Sequence, residues 1–306
     1  LTDDPHPSIT RPIALRPGDT LGIAAPASPF AQADFDTGVQ LLEAMGFNVF
    51  VPNDIFLREG YLAGSDRQRA EQLVRLFTDP EIHGVVCARG GYGAMRILPF
   101  LDADAIARHP KPFVGFSDIT VILNFLAQRC RMVAFHGPTV TTLANGDDNT
   151  RQRFRSVLMK RMPHALAAAA PRVLFPGRAR GRLLCGNLTL FCHLTGTPYQ
   201  PVYEGAVLLI EDQGEAPYRI DRMLTQMRLA GCFDKLAGLA LGSFNGCDSE
   251  GEVQRIVADR FGDLEIPILG GFHVGHGPEN AILPVGIDAV LDTDAGSLTF
   301  TGPALA

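Results

Sequence analysis

Along the first half of the chain, short apolar runs alternate with stretches whose apolar positions recur every three or four residues. TLGIAAP (20–26) is an apolar run ended by proline and reads as a buried strand. Over 32–46, Phe35, Val39, Leu42 and Met45 fall at helical spacing, and Gly46 closes the stretch. FNVFVP is the next strand, and Ser65 and Gln68 have the spacing of a capping box ahead of AEQLVRLF. HGVVCARGGYG reads as a strand and a glycine-rich loop, YGAMRILPFL as a helix and KPFVGF (111–116) as a strand. DITVILNFLAQRC then predicts a helix, and MVAFHGP a strand ended by Pro138. Such β–α alternation predicts an α/β domain with a doubly wound, mostly parallel sheet covered by helices on both faces.

The alternation weakens after Asn145. NGDDNT reads as a loop, RQRFRSVLMKRM as a basic amphipathic helix with a solvated face, and PHALAAAAPR as a low-complexity stretch. This divides the chain into an N-terminal α/β domain over 1–150, a connection over 151–180 and a smaller mixed α/β domain over 181–306. In the last, RGRLL, AVLLIE and LAGLALGSF read as strands, and NLTLFCHLTG, PYRIDRMLTQMRLAG and GEVQRIVADRFG as helices. The tail from Ile266 is rich in strands and turns, and DAVLDTDAGSLTF reads as a hairpin turning at Asp294 to Gly296.

A length of 306 residues suits two domains. The net charge of -6 favours neither nucleic acid nor an anionic membrane surface. No apolar run approaches the ~20 residues that cross a bilayer. The first residues, LTDDPHPSIT, lack the basic and apolar regions of a signal peptide and also lack an initiator Met. The six cysteines are scattered without a CxxC pair, which argues against zinc or a disulfide scaffold and for buried thiols in a reducing compartment. A cytoplasmic protein without metal is expected.

VGFSDIT places Ser117 between a buried strand and a helix. A turn of that kind thrusts a side chain out at the carboxyl end of a sheet and aims the first helical N–H groups at whatever binds there. A serine so placed can attack a carbonyl whose oxygen those amides stabilise. Gly115 precedes it as in a nucleophile elbow, but Ile119 stands where the second glycine belongs. Taken alone, the motif is read more simply as Ser117 or Asp118 capping a helix. The glycines of ARGGYG allow close backbone approach. They could supply an oxyanion-hole amide, cradle a phosphate or form a plain turn. A nucleotide-binding kinase or oxidoreductase using this loop lacks the expected Walker lysine or first-strand fingerprint. In the second half, LLIEDQGE puts Glu211 at the end of an apolar strand, and GFHVGHGPEN puts His276 in a glycine-rich loop. His273 and His136 (in FHGP) are the competing loop histidines. The order Ser, acid, His is one that triads use.

Together these segments resemble the LD-carboxypeptidases (muramoyltetrapeptide carboxypeptidases), a family of serine peptidases. The resemblance is carried, in this order, by PGDTLGIAAPASP, ARGGYGAMRILP, VGFSDIT, FHGP, CGNLTLFCHLTGTP, LLIEDQGEAPYRIDRML, LGSF with Cys247, and GHGPENAILPVG. It implies Ser117 as nucleophile, Glu211 as acid and His276 as base, with the backbone N–H groups of Asp118 and Gly91 as oxyanion hole. The triad then spans both domains, so the site lies in the cleft between them. The resemblance further implies a homodimer that needs no cofactor and removes the terminal D-Ala of a murein tetrapeptide in cell-wall recycling. Arg89, Tyr92 and Asn187 are candidate substrate contacts, Arg89 for the terminal carboxylate. Cys185 and Ala27 depart from the family's frequent glycine and serine. The microcin C self-immunity peptidases resemble the same family but act on peptidyl-nucleotides, using an aromatic, often Trp, against the base. This chain has no Trp, although Phe or Tyr can also stack.

Overall fold

A computed structural model describes residues 9–159, 165–247, 251–277 and 279–306. The chain runs β1 (Thr20–Ala24), α1 (Gln32–Ala44), β2 (Asn48–Phe50), α2 (Asp66–Thr78), β3 (Gly84–Cys87), α3 (Ala94–Ile97), α4 (Ala103–Ala107), β4 (Phe113–Gly115), α5 (Thr120–Gln128), β5 (Ala134–His136), α6 (Val140–Asn145) and α7 (Asp148–Met159). It continues through β6 (Ala165–Ala167), β7 (Arg172–Phe175), β8 (Arg178–Asn187), α8 (Leu188–Leu194), β9 (Val207–Gln213), α9 (Pro217–Leu229), β10 (Gly238–Asn245), α10 (Glu252–Phe261), β11 (Ile268–Gly270), β12 (Leu283–Val285), β13 (Asp288–Asp292) and β14 (Ser297–Phe300).

The first sheet has the order β12-β5-β4-β3-β1-β2. Its strands pair in parallel except β12, which runs antiparallel to β5. Strand order reverses between β1 and β3, a switch point at whose carboxyl edge ligands of such sheets bind. β1, β3 and β4 are buried almost throughout, which is why they read as continuous apolar runs. The expected capping box at Ser65 and Gln68 opens α2. The second sheet has the order β6-β14-β13-β8-β9-β10-β11-β7, with β8 to β11 parallel and the flanking strands antiparallel.

Helix α5 is buried from Thr120 to Ala127 and packs between the sheets, against α8 and β8. A second apolar cluster, including Leu188, Phe191, Leu224, Phe233 and Phe261, fills the space under α8, α9 and α10. All six cysteines are buried free thiols. Among the described residues no helix is long and apolar enough to cross a membrane.

Three expectations change. The segment 151–180 is not a plain connection, because β6 and β7 are the two edges of the second sheet and α7 buries Phe154, Val157 and Leu158. The tail also returns to the first sheet: β12 carries Pro284, and only an edge strand tolerates a residue without an N–H. YGAMRILPFL forms one helical turn and then a 3-10 turn at 98–100, because Pro99 cannot donate to an α-helical ladder. Residues 160–164, the end of the basic helix and the start of the low-complexity stretch, lie outside the described residues.

Candidate active site

Ser117 sits where β4 turns into the 3-10 turn 117–119 that leads into α5. Its φ is 63°, one of three positive values among the described non-glycine residues. That conformation costs an L-residue about 1–2 kcal/mol and is held by the surrounding packing. The incomplete elbow motif has a steric explanation. A Cβ at Gly115 would stand 2.7 Å from Ile119 Cγ2 and 3.2 Å from Cys87 Sγ, so the first glycine makes room for Ile119 itself.

The structure brings together the three residues expected as a triad. His276 Nε2 lies 3.0 Å from Ser117 Oγ, and His276 Nδ1 lies 2.6 Å from Glu211 Oε2. The backbone N–H of His276 donates to the same carboxylate oxygen at 3.2 Å. Glu211 is fully buried on β9, while the His276 side chain keeps 15% of its surface. Gly275 has φ 108°, and a Cβ there would fall 2.2 Å from Glu211 Oε2, so only glycine lets the carboxylate reach the ring. The histidine loop is tied down by Asn245 Nδ2 donating to His276 O (3.1 Å) and by Ser243 N and Oγ donating to Val274 O (2.9 and 3.0 Å). Phe116 packs on the imidazole with ring centroids 4.9 Å apart.

Electrostatics follow from this burial. Loss of solvent drives the Glu211 carboxyl up, partly offset by the hydrogen bond and charge of His276. Burial pulls His276 toward its neutral form, but the hydrogen bond and charge of Glu211, with Asp212 adding, outweigh it and hold the imidazole above the usual histidine value. The competing histidines are elsewhere. His273 is half-exposed and lies 3.1 Å from Glu279. His136 is fully buried behind Phe116, and burial, then the His276 charge, push it down to about 3, so it stays neutral.

The glycine-rich loop after β3 lies against Ser117. A Cβ at Gly90 would be 3.0 Å from Ser117 Cβ and 3.3 Å from its Oγ, which places the Gly90–Gly91 peptide beside Ser117. Asp118 is buried, and its Oδ2 accepts from Ala94 N at 2.7 Å, joining the elbow to the loop's exit. Burial raises the Asp118 carboxyl, against the pull of that N–H and of Arg69. Ser28 Oγ accepts from Tyr92 N at 2.9 Å. Arg69 is buried and donates to Pro26 O, to Gly93 O at 2.9 Å and to Gly64 O at 3.1 Å, clamping the loops after β1 and β3 together.

Of the candidate substrate contacts, Arg89 is exposed and donates to Pro29 O at 2.8 Å. Tyr92 is 54% exposed and meets Tyr61 edge to face at 5.5 Å. Asn187 is not open to a substrate in this arrangement. It is buried, its Nδ2 donates to Asp212 Oδ1 at 2.9 Å, and its Oδ1 accepts from Leu190 N at 3.2 Å, because Asn at this position caps α8. Arg69, Ser28, Thr120 and Asp212 support the site but went unrecognised in the sequence. Only the ED pair of LLIEDQ hinted at Asp212.

Residues 21–137 match the family model for the N-terminal domain of LD-carboxypeptidases, and residues 180–291 the model for their C-terminal domain. The first match contains Ser117, the second Glu211 and His276. A murein tetrapeptide carboxypeptidase of Pseudomonas aeruginosa is 32% identical over 89% of this chain and 92% of its own. The structure of a muramoyltetrapeptide carboxypeptidase from Oxalobacter formigenes is similar with a TM-score of 0.82, at 29% identity, over 93% of this chain and 99% of that one. A structure of the microcin self-immunity protein MccF has a TM-score of 0.90 over 97% of this chain and 100% of its own, at 24% identity, and so shows the shared fold. The kinase or oxidoreductase reading of the glycine loop gives way to these matches: the chain belongs to the LD-carboxypeptidase family and is a peptidase, a hydrolase.

Proposed function

We propose that the protein is a serine carboxypeptidase that hydrolyses the L,D-amide before the terminal D-Ala of a murein tetrapeptide. The observation that carries this reading is the unbroken chain from Ser117 Oγ through His276 to Glu211 Oε2, assembled from both sheets. Ser117 Oγ adds to the carbonyl as His276 Nε2 takes its proton. Glu211 holds the ring and stabilises the imidazolium, which then protonates the departing amine of D-Ala. Water, deprotonated by the same imidazole, cleaves the acyl-enzyme and returns Ser117. The N–H groups of Asp118 and Gly91 face the developing oxyanion. The exposed guanidinium of Arg89 and the ring of Tyr92 are the substrate contacts in this scheme. No metal or cofactor enters it, and the setting is cell-wall recycling by a cytoplasmic homodimer.

Alanine release should occur from L-Ala-D-Glu-meso-diaminopimelate-D-Ala and not from the same peptide ending in L-Ala. Release from both, or from neither, would overturn the L,D reading. The base works as neutral imidazole, and its proton affinity is raised. The acid limb of kcat/KM should therefore rise with pH through a pKa above the ordinary ~6.5 of histidine. A pH–rate profile checks this, and a limb at or below that value would contradict it. Gly275→Ala should lower kcat on the order of 10²-fold by pushing the carboxylate off the ring. Steady-state kinetics on the purified, cooperatively melting variant reads this out, and an unchanged kcat would contradict it.

A further inference from the structure

Glu211 and Asp212 are consecutive on β9, so their side chains leave opposite faces of the sheet. Glu211 meets His276. Asp212, equally removed from solvent, meets the first turn of α8. Its Oδ1 accepts from Asn187 Nδ2 (2.9 Å) and Gln213 N (2.8 Å), and its Oδ2 accepts from Thr189 N (3.0 Å) and Thr189 Oγ (2.8 Å). A buried carboxylate is tolerated only when satisfied in this way, yet the mechanism above gives it no role.

Asn187, the residue it holds, stands opposite Glu211 in the β8–β9 register. The backbone N–H of Asn187 donates to Thr120 Oγ at 3.0 Å. Thr120 is fully buried and begins α5, three residues after Ser117. The approach is close: a Cβ at Gly186 would fall 2.2 Å from Thr120 Cγ2. A polar tie thus runs from the strand of the acid, through Asp212 and Asn187, to the helix of the nucleophile.

Resting on the serine-peptidase reading, we propose that Asp212 is a positioning residue: by fixing Asn187 against Thr120 it sets the distance at which Ser117 meets the His276–Glu211 pair. A displacement of about 1 Å between reacting groups can cost on the order of 10²-fold in rate. Asparagine at 212 has one oxygen, so whichever way it turns its NH₂ faces at least one N–H donor: Asn187 Nδ2 and Gln213 N on one side, Thr189 N on the other. The double exchange Asn187→Asp with Asp212→Asn again sets an acceptor against a donor, and aspartate can still cap α8.

Once the tetrapeptide assay has established wild-type turnover, kcat, KM and thermal melting are measured for Asp212→Asn and for the double exchange. Asp212→Asn should lose on the order of 10²-fold in kcat, with KM shifted less than about threefold, and the exchange should recover at least about tenfold of kcat. A kcat within about threefold of wild type, or an exchange that restores melting but not kcat, would overturn the proposal. If Asp212→Asn fails to fold, Thr120→Val removes the acceptor at the other end of the tie without changing side-chain shape. It should lower kcat about tenfold, and an unchanged kcat would again overturn the proposal. Wild-type turnover with an unaffected Asp212→Asn strikes the tie alone, whereas turnover that survives Ser117→Ala strikes the serine mechanism.

Discussion

Replacing Ser117 by alanine is expected to lower kcat on the order of 10⁴-fold or more. In the proposed mechanism the side chain supplies the attacking oxygen, and among the described residues His276 Nε2, at 3.0 Å from it, has no other hydroxyl in hydrogen-bond contact. Alanine keeps the Cβ and inherits the same φ of 63°, so the strain of the turn is neither relieved nor increased. Binding contacts remain, so KM should change little and the melting temperature should stay within a few degrees of wild type. Kinetics with a thermal melt on the same preparation checks both halves. A variant that melts as wild type but retains a tenth of kcat would remove Ser117 from the chemistry.

Glu211→Gln should cost on the order of 10³–10⁴ in kcat. Glutamine fills the same space, so no cavity opens, but the charge that stabilises the imidazolium is gone. One oxygen of Glu211 now serves both the ring N–H and the backbone N–H of His276, and an amide turned the wrong way would meet both as a donor. Stability should move in the other direction. Burial of this carboxylate is unfavourable, as its raised proton affinity records, and a neutral amide escapes that cost. The variant should melt at or above the wild-type temperature near pH 7, an exchange of stability for activity that functional sites commonly show. With the carboxylate gone, the hydrogen bond and charge that most raise His276 are lost while burial still lowers it, so the residual activity should have its acid limb at lower pH than the wild type.

The parts of the fold that periodicity exposes are those whose burial is uniform. β1, β3 and β4 are covered on both faces, and α1 turns Phe35 and Leu42 inward, so each leaves a clear trace in the sequence. β6, β7 and β12 leave almost none. They are three- or four-residue edge strands, and Pro284 sits inside the last. Their membership in a sheet is decided by partners more than a hundred residues away in two of the three cases, β6 with β14 and β12 with β5. The grouping of Ser117, Glu211 and His276 left a trace in the sequence because each sits at the end of an apolar run or in a glycine loop, although choosing His276 over His273 as the proposed base needed the family resemblance. Arg69 shows what stays hidden. In the run DRQRAEQLVRLF it looks like any solvated helix cation, and its burial arises from carbonyls of Pro26, Gly64 and Gly93 that only the folded chain gathers. Asn187 was ambiguous for a related reason: an asparagine before LTLF can face a cleft or cap a helix, and in the folded chain it caps α8 with its amide held by Asp212.

The most direct test of the account is the mass spectrum of L-Ala-D-Glu-meso-diaminopimelate-D-Ala after incubation with the wild-type protein and with Ser117→Ala. The account predicts loss of one alanine residue with wild type and an intact tetrapeptide with the variant. An intact tetrapeptide with wild type would contradict the assigned substrate, and cleavage by Ser117→Ala would contradict the assigned nucleophile.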